Sequence, residues 1–234
     1  RSAPIGITVE GSNTLTRSLI IFGQGLNKSH PFIFPLLDSI LNNDINSFKN
    51  NFNSILGHSL KLYGKSFGIR RNLNQQIINF ACLTNFVALK GGLIKREQML
   101  SGDMADIFSN IYLALSVQYY HNLNNSSAIL TEYIINRLMN ENQLKINKVI
   151  DNLGGERYLL QHLKRKVEYG SYNSERVVFN EIMNNKNIIN EIKKNIHVEN
   201  NILADLETIN NKNISDLEHD NLKHKIINVG EYSN

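Results

Sequence analysis

The chain has 234 residues, of which 41% are hydrophobic and 20% charged; that is ordinary globular usage, long enough to bury a real core, and it excludes a wholly disordered chain. The net charge of +4 and pI near 9.0, spread over 25 Lys and Arg, are too mild to argue for nucleic acid. No apolar run approaches the roughly 18 residues of a membrane-spanning helix, and the one cysteine, Cys82, excludes an internal disulfide and fits a reducing compartment.

Asn occurs 36 times and Ile 29 times, a bias that reads as drift toward AT-rich codons rather than as chemistry. Trp is absent and the three prolines all lie by residue 35, which leaves a long body free to form helices. The chain starts Arg1-Ser2-Ala3-Pro4 without Met or a signal-peptide pattern. This start suggests a fragment of a longer protein, a split gene product or a gene remnant.

In chain order, Ile7 to Val9 predicts a short extended entry. Glu10-Gly11-Ser12 breaks it, and Ser12 or Asn13 can cap a helix whose apolar face carries Leu15, Leu19 and Phe22 up to Gly23 or Gly25. A second element starts at His30-Pro31 and closes at Asn42-Asn43-Asp44. Asp44 can cap a third helix, with Ile45, Phe48, Phe52, Ile55 and Leu56 at three-four spacing. Residues 72–90 predict a fourth, with Leu73, Ile77, Phe80, Ala81, Thr84, Val87 and Ala88 on one stripe. The clearest stripe is Met104, Ile107, Phe108, Ile111, Tyr112 and Leu115, read as facing the core. Further helices are expected over 128–150, Tyr158 to Val167, 175–197 and 201–209, with a loose polar tail after them. No strand pairing or βαβ rhythm follows residue 12, so the body reads as all-α, a helical bundle.

Little of this carries chemistry. The seven histidines are scattered, His219 and His224 lack metal-helix spacing, and no metal site is expected. Gly23-Gln24-Gly25 lacks the third glycine of a phosphate loop and ends a helix rather than opening one. Lys164-Arg165-Lys166, beside Tyr158, Leu159, Leu160 and Leu163, reads as a solvated face, with a basic amphipathic helix on an anionic membrane as the alternative. Lys95-Arg96-Glu97 has its own counter-charge and reads as surface. Glu10 stands after an apolar segment and just ahead of a helix start. There the helix field favours its ionised form while apolar walls would raise its pKa, as a tuned catalytic base requires. By spacing alone it reads as a helix-start acid before it reads as a base.

Residues 4–31, PIGITVEGSNTLTRSLIIFGQGLNKSHP, resemble the flavin-dependent acyl-CoA dehydrogenases, and specifically their large bacterial fatty-acid β-oxidation branch. That branch shows the run Ile-Thr-Val-Glu-Gly, then Leu-Thr-Arg-Ser and Phe-Gly-Gln-Gly. Residues 89–117, LKGGLIKREQMLSGDMADIFSNIYLALSV, resemble its C-terminal region, where Gly-Gly, Lys-Arg and a Gly-Asp before a long helix recur. The resemblance covers about residues 1–120.

It implies a domain plan: the catalytic segment and final helix of the dehydrogenase bundle over 1–30, an extra helical domain over 31–200 and a polar tail over 201–234. It implies that Glu10 is the base that removes the α-proton of an acyl thioester, with its backbone N–H polarising the thioester carbonyl. Gly11 would allow substrate and flavin close to the backbone, Ser12 and Thr14 would contact FAD, and Arg17 would have a structural or subunit-contact role. Lys28-Ser29 departs from the branch's Arg-Cys and loses a bidentate fork. The cofactor implied is FAD and the substrate fatty acyl-CoA. The partners are electron-transfer flavoprotein or another acceptor, and further copies in a homo-oligomer of the complete enzyme. Without the family's N-terminal bundle and β-domain, the chain alone is expected to bind neither FAD nor acyl-CoA tightly. The location implied is the bacterial cytoplasm, with peripheral contact at the inner membrane. A second reading, from a different class, is a non-catalytic helical docking module for a membrane surface or a partner subunit.

Overall fold

A computed structural model describes residues 16–25, 30–168, 170–194, 202–210 and 214–230. The extended entry Ile7–Val9 and the residues Glu10, Gly11, Ser12 and Thr14 lie outside the described residues, as do Lys28 and Ser29. The chain divides into two compact units, residues 1–181 and 182–234.

The described part of unit 1 opens with a wide π-helical turn, Thr16–Gln24, which buries Phe22. Helix α1, Ile33–Leu41, ends where Asn43 takes a left-handed conformation at φ 52°, and Asp44 starts α2, Ile45–Ser66, as expected. The Asp44 carboxylate accepts from the backbone N–H of Asn46 and Ser47 at 3.1 and 3.0 Å, closing donors that a helix start leaves open. Asn72 caps α3, Leu73–Ala88, in the same way. After a short 3-10 turn, Gly91–Lys95, come the two longest helices, α4, Gln98–Asn124, and α5, Ala128–Asp151. Asn125 in the left-handed region and the Ser127 cap on Leu130 N–H turn the chain between them in three residues, so α4 and α5 pack as an antiparallel hairpin.

The core lies where α3, α4 and α5 meet. Leu83, Val87, Met104, Ile107, Ile111, Ile146, Val149 and Ile150 are buried there, closed off by Leu160 and Leu163 from the following loop. Cys82 is buried among them, and burial pushes its thiol pKa up. It is a small hydrophobe here rather than a nucleophile.

Three expected stripes are corrected in part. On α3 the expected Leu73 and Val87 are buried and Ile77 and Phe80 pack part-buried against the core, but Gln75, Gln76, Asn79, Cys82 and Leu83, not on the expected stripe, are buried with them. The cause is a buried amide seam. Gln76 donates to the Met139 carbonyl at 2.8 Å and accepts from Asn142 at 3.0 Å. Asn142 also donates to the Ile107 carbonyl at 3.3 Å, and Gln75 bridges to Asn79. Amides paired with one another tolerate burial that hydropathy forbids them singly. On α4, Met104, Ile107 and Ile111 are buried but Phe108, Tyr112 and Leu115 are exposed. The third helix likewise leaves Ile45, Phe52 and Leu56 exposed.

The expected helix from Tyr158 to Val167 is instead two short 3-10 turns, Gly155–Tyr158 and Gln161–Leu163, followed by a non-helical segment. The expected helix over 175–197 is two helices, α6, Tyr172–Asn184, and α7, Lys186–Lys194, with the boundary between the units inside α6. In unit 2, α7 buries Ile188, and α8, Ile202–Ile209, is tied to α9, Asp216–Gly230, by a Lys225–Asp205 ion pair at 2.8 Å. Residues 216–230 are therefore helical rather than a loose tail. No strand occurs among the described residues.

Candidate functional site

Arg17 is the nearest described chain position with a side chain in a built charge cluster to Glu10, seven residues downstream. The wide turn of Thr16–Gln24 lies against α4, and Arg17 reaches across it. Its Nε and Nη2 each sit 2.5 Å from the two carboxylate oxygens of Asp106, the bidentate fork-on-carboxylate arrangement that a Lys cannot make. From α5, Lys145 Nζ meets Asp106 Oδ2 at 2.7 Å and Asp103 at 3.6 Å, and Lys148 meets Asp103 at 2.7 Å. Five charges thus alternate in sign across the wide turn, α4 and α5.

The local sequence explains the geometry. Asp103 and Asp106 are three apart on α4, and Lys145 and Lys148 are three apart on α5, so each pair shares one helix face and the hairpin brings the faces together. Gly102, in the first turns of α4, makes room for the guanidinium. A Cβ there would stand 3.0 Å from Arg17 Nη1 and 3.1 Å from its Cζ, inside normal contact. The Gly-Asp pair expected just before a long helix is found within it.

The electrostatics are those of a clamp. Hydrogen bonding from Arg17, then from Lys145, holds the Asp106 carboxyl below its usual range against the opposing effect of burial, and the same bond raises the Arg17 pKa. Both partners of the Arg17–Asp106 pair stay ionised at neutral pH. The pair ties the Thr16–Gln24 turn to α4. Arg17 is thus bound within the chain to Asp106.

A second fastening lies at the other end of the core. His162 Nδ1 is 3.0 Å from the Leu159 carbonyl and so carries a proton, because a carbonyl only accepts. Its Nε2 is 2.7 Å from Ser66 Oγ. Its ring stacks on Phe67 at 3.9 Å, and Tyr63 donates to the same Leu159 carbonyl at 3.0 Å. Burial lowers the His162 pKa, with the Leu159 hydrogen bond opposing in part.

The basic run Lys164-Arg165-Lys166 is corrected. It is not on a helix. Lys164 pairs with Asp151 at 2.6 Å, and Arg165 donates to the carbonyls of Gly68 and Arg70 at 2.8 and 2.9 Å. Two of its three cations are internal struts, so no basic amphipathic helix presents them to a membrane. Glu97 pairs with Lys90 at 3.7 Å.

A groove of about 1030 Å³ lies between α3, α5 and the segment after Arg165. Its charges largely neutralise one another: Arg71 pairs with Glu168 and Arg137 with Glu141. None of the residues implied for FAD contact lies among the described ones. No group of three His, Cys, Asp or Glu side chains able to hold a metal occurs among the described residues, and none of their helices is long and apolar enough to cross a membrane.

Sequence reasoning named Arg17, Gly102 and Asp103 but missed Asp106, Lys145 and Lys148. The signal was present, as two oppositely charged i, i+3 pairs on helices joined by a three-residue turn.

No solved structure matches the chain. The family model of the acyl-CoA dehydrogenase C-terminal domain, bacterial type, matches residues 64–232, from the end of α2 to the end of the described chain, and the all-α bundle agrees with it. The chain belongs to the bacterial-type acyl-CoA dehydrogenase C-terminal domain family.

Proposed function

We propose that this chain supplies the base-bearing C-terminal part of an FAD-dependent acyl-CoA dehydrogenase, one that converts fatty acyl-CoA to trans-2-enoyl-CoA in fatty-acid β-oxidation. The observation that carries the reading is the Arg17–Asp106 clamp. Asp106 lies within the residues matched to the family, and Arg17 belongs to the upstream segment that resembles the dehydrogenases' catalytic stretch. The bidentate bond ties the two together.

In this reading Glu10 takes the α-proton of the thioester onto its carboxylate, and its own backbone N–H donates to the thioester carbonyl, stabilising charge that develops there. FAD, when bound, accepts the β-hydride. Gly11 leaves the backbone bare where substrate and flavin approach, and the hydroxyls of Ser12 and Thr14 contact the cofactor. Arg17 is a positioning residue: it touches neither substrate nor flavin and holds the segment behind the base. The redox partner of the complete enzyme would be an electron-transfer flavoprotein or an equivalent acceptor.

The test is Glu10→Gln in the complete enzyme. Turnover falls by at least about 100-fold while acyl-CoA binding persists, since the amide keeps the shape and loses the base. Turnover near the parent level overturns the reading.

A further inference from the structure

The C-terminal half of α4 buries Ile111 and Ala114 on one side, but its other side has no role in the clamp or the core. From residue 107 to 124 it contains no Asp, Glu, Lys or Arg. Phe108, Tyr112, Leu115, Tyr119 and Leu123 form one stripe, exposed by 49, 65, 41, 66 and 64%. Their spacing of four, three, four and four keeps them on one side of the helix, and the last four share a single shallow depression of about 410 Å³. Charge depletion with Tyr, Phe and Leu enrichment is the composition of an interface centre.

We propose that this stripe pairs antiparallel with the same stripe of a second copy of the chain. The choice of occupant rests on symmetry and area. The stripe mirrors itself about the 115/116 peptide: position 108 reflects onto 123, and 112 onto 119. A two-fold axis there sets Phe108 against the partner's Leu123 and Tyr112 against the partner's Tyr119, an isologous contact that closes on itself. The five side chains expose roughly 600 Å² before their flanks are counted, against the roughly 800 Å² per partner of a stable interface. Antiparallel packing also opposes the helix dipoles and holds the two Asp106 clusters about 28 Å apart along the axis, beyond a Debye length. Parallel packing would set them side by side. A lipid surface is disfavoured because the stripe lacks flanking cations.

Sedimentation velocity on the complete chain tests this. The parent chain dimerises with rising concentration. Tyr112→Lys or Tyr119→Glu raises the dimer Kd at least about tenfold, with helicity and Tm held because both positions are exposed. The double variant Tyr112→Lys/Tyr119→Glu recovers the dimer, since antiparallel pairing puts each Lys opposite a Glu. Should a charge variant misfold, Ser116→Cys still reports: it cross-links to itself under oxidation, and Ser109→Cys does not. A chain monomeric at every concentration, a dimer indifferent to Tyr112→Lys, or a double variant no better than the single ones overturns the proposal.

Discussion

Two fastenings hold non-helical segments against the core of unit 1, and they use opposite physics. Arg17 is held by full charges, in a bidentate pair with Asp106 backed by Lys145. The loop around Leu159 is held by neutral groups, the His162 ring on Phe67 with Tyr63 and Ser66 around it. The clamp sits where its partners are part-exposed, so their desolvation is modest and ionisation is favoured. The His162 cluster sits where burial penalises a cation. The same small domain thus has one joint that needs charge and one that prefers none.

The comparison breaks most sharply at the side chains beneath the loop. Leu163 is wholly buried, so Leu163→Ala is expected to cost about 2–5 kcal/mol in urea unfolding. That would make the aliphatic anchor, not the ring cluster, the main attachment there. A cost below about 1 kcal/mol would show that the neutral groups alone suffice.

The amide seam comes next. Asn142→Leu strips Gln76 and the Ile107 carbonyl of a donor inside the core, an expected loss of about 1–3 kcal/mol. Asp106→Ala removes the clamp and leaves Arg17 and part of Lys145 unanswered. With both partners part-exposed, screening limits the cost to about 1–2 kcal/mol, and added salt shrinks it further. A salt-insensitive difference between parent and variant would contradict an ionic joint.

The smallest effects are in pH, and they separate the two joints. His162 is depressed below its ordinary 6.5. The folded chain therefore binds fewer protons than the unfolded one, and this stability is present above pH 6.5 and lost as pH falls through the lower folded value. His162→Phe should flatten that part of the stability curve, His30 keeping a residue of it because it is depressed in the same sense. Asp106 is depressed below 3.8, so the clamp's contribution is present above that value and lost only at more acidic pH. Asp106→Asn should change the acid limb and leave the region near pH 6 untouched. If both variants act in one pH window, the distinction between the joints fails.

Local pattern was enough for much of the molecule. The Asp44 cap, the Asn42-Asn43-Asp44 stop, and the spans of α3 and α5 follow from capping chemistry and three-four spacing, which act within a few residues. Burial direction was legible only in part: Val87, Met104, Ile107 and Ile111 were expected inward and are buried. On α3 the amides Gln76 and Asn79 face inward, because Asn142 and the Met139 carbonyl wait for them across the bundle. On α4 the apolar run is wider than the surface unit 1 offers to cover it. The site divided along the same line: Arg17, Gly102 and Asp103 stood in motifs, whereas Asp106, Lys145 and Lys148 gained meaning only when α5 folded back on α4.

What the sequence determined by itself was the all-α class, most helices up to residue 151 and the Asp44 cap, because propensity, capping and three-four spacing are short-range. Only the tertiary structure decided which faces were dry, that Arg17 closes on a carboxylate 89 residues away, and that His162 meets Ser66 across 96. Charge pairing and desolvation depend on what lies across space, and no one-dimensional pattern holds that distance.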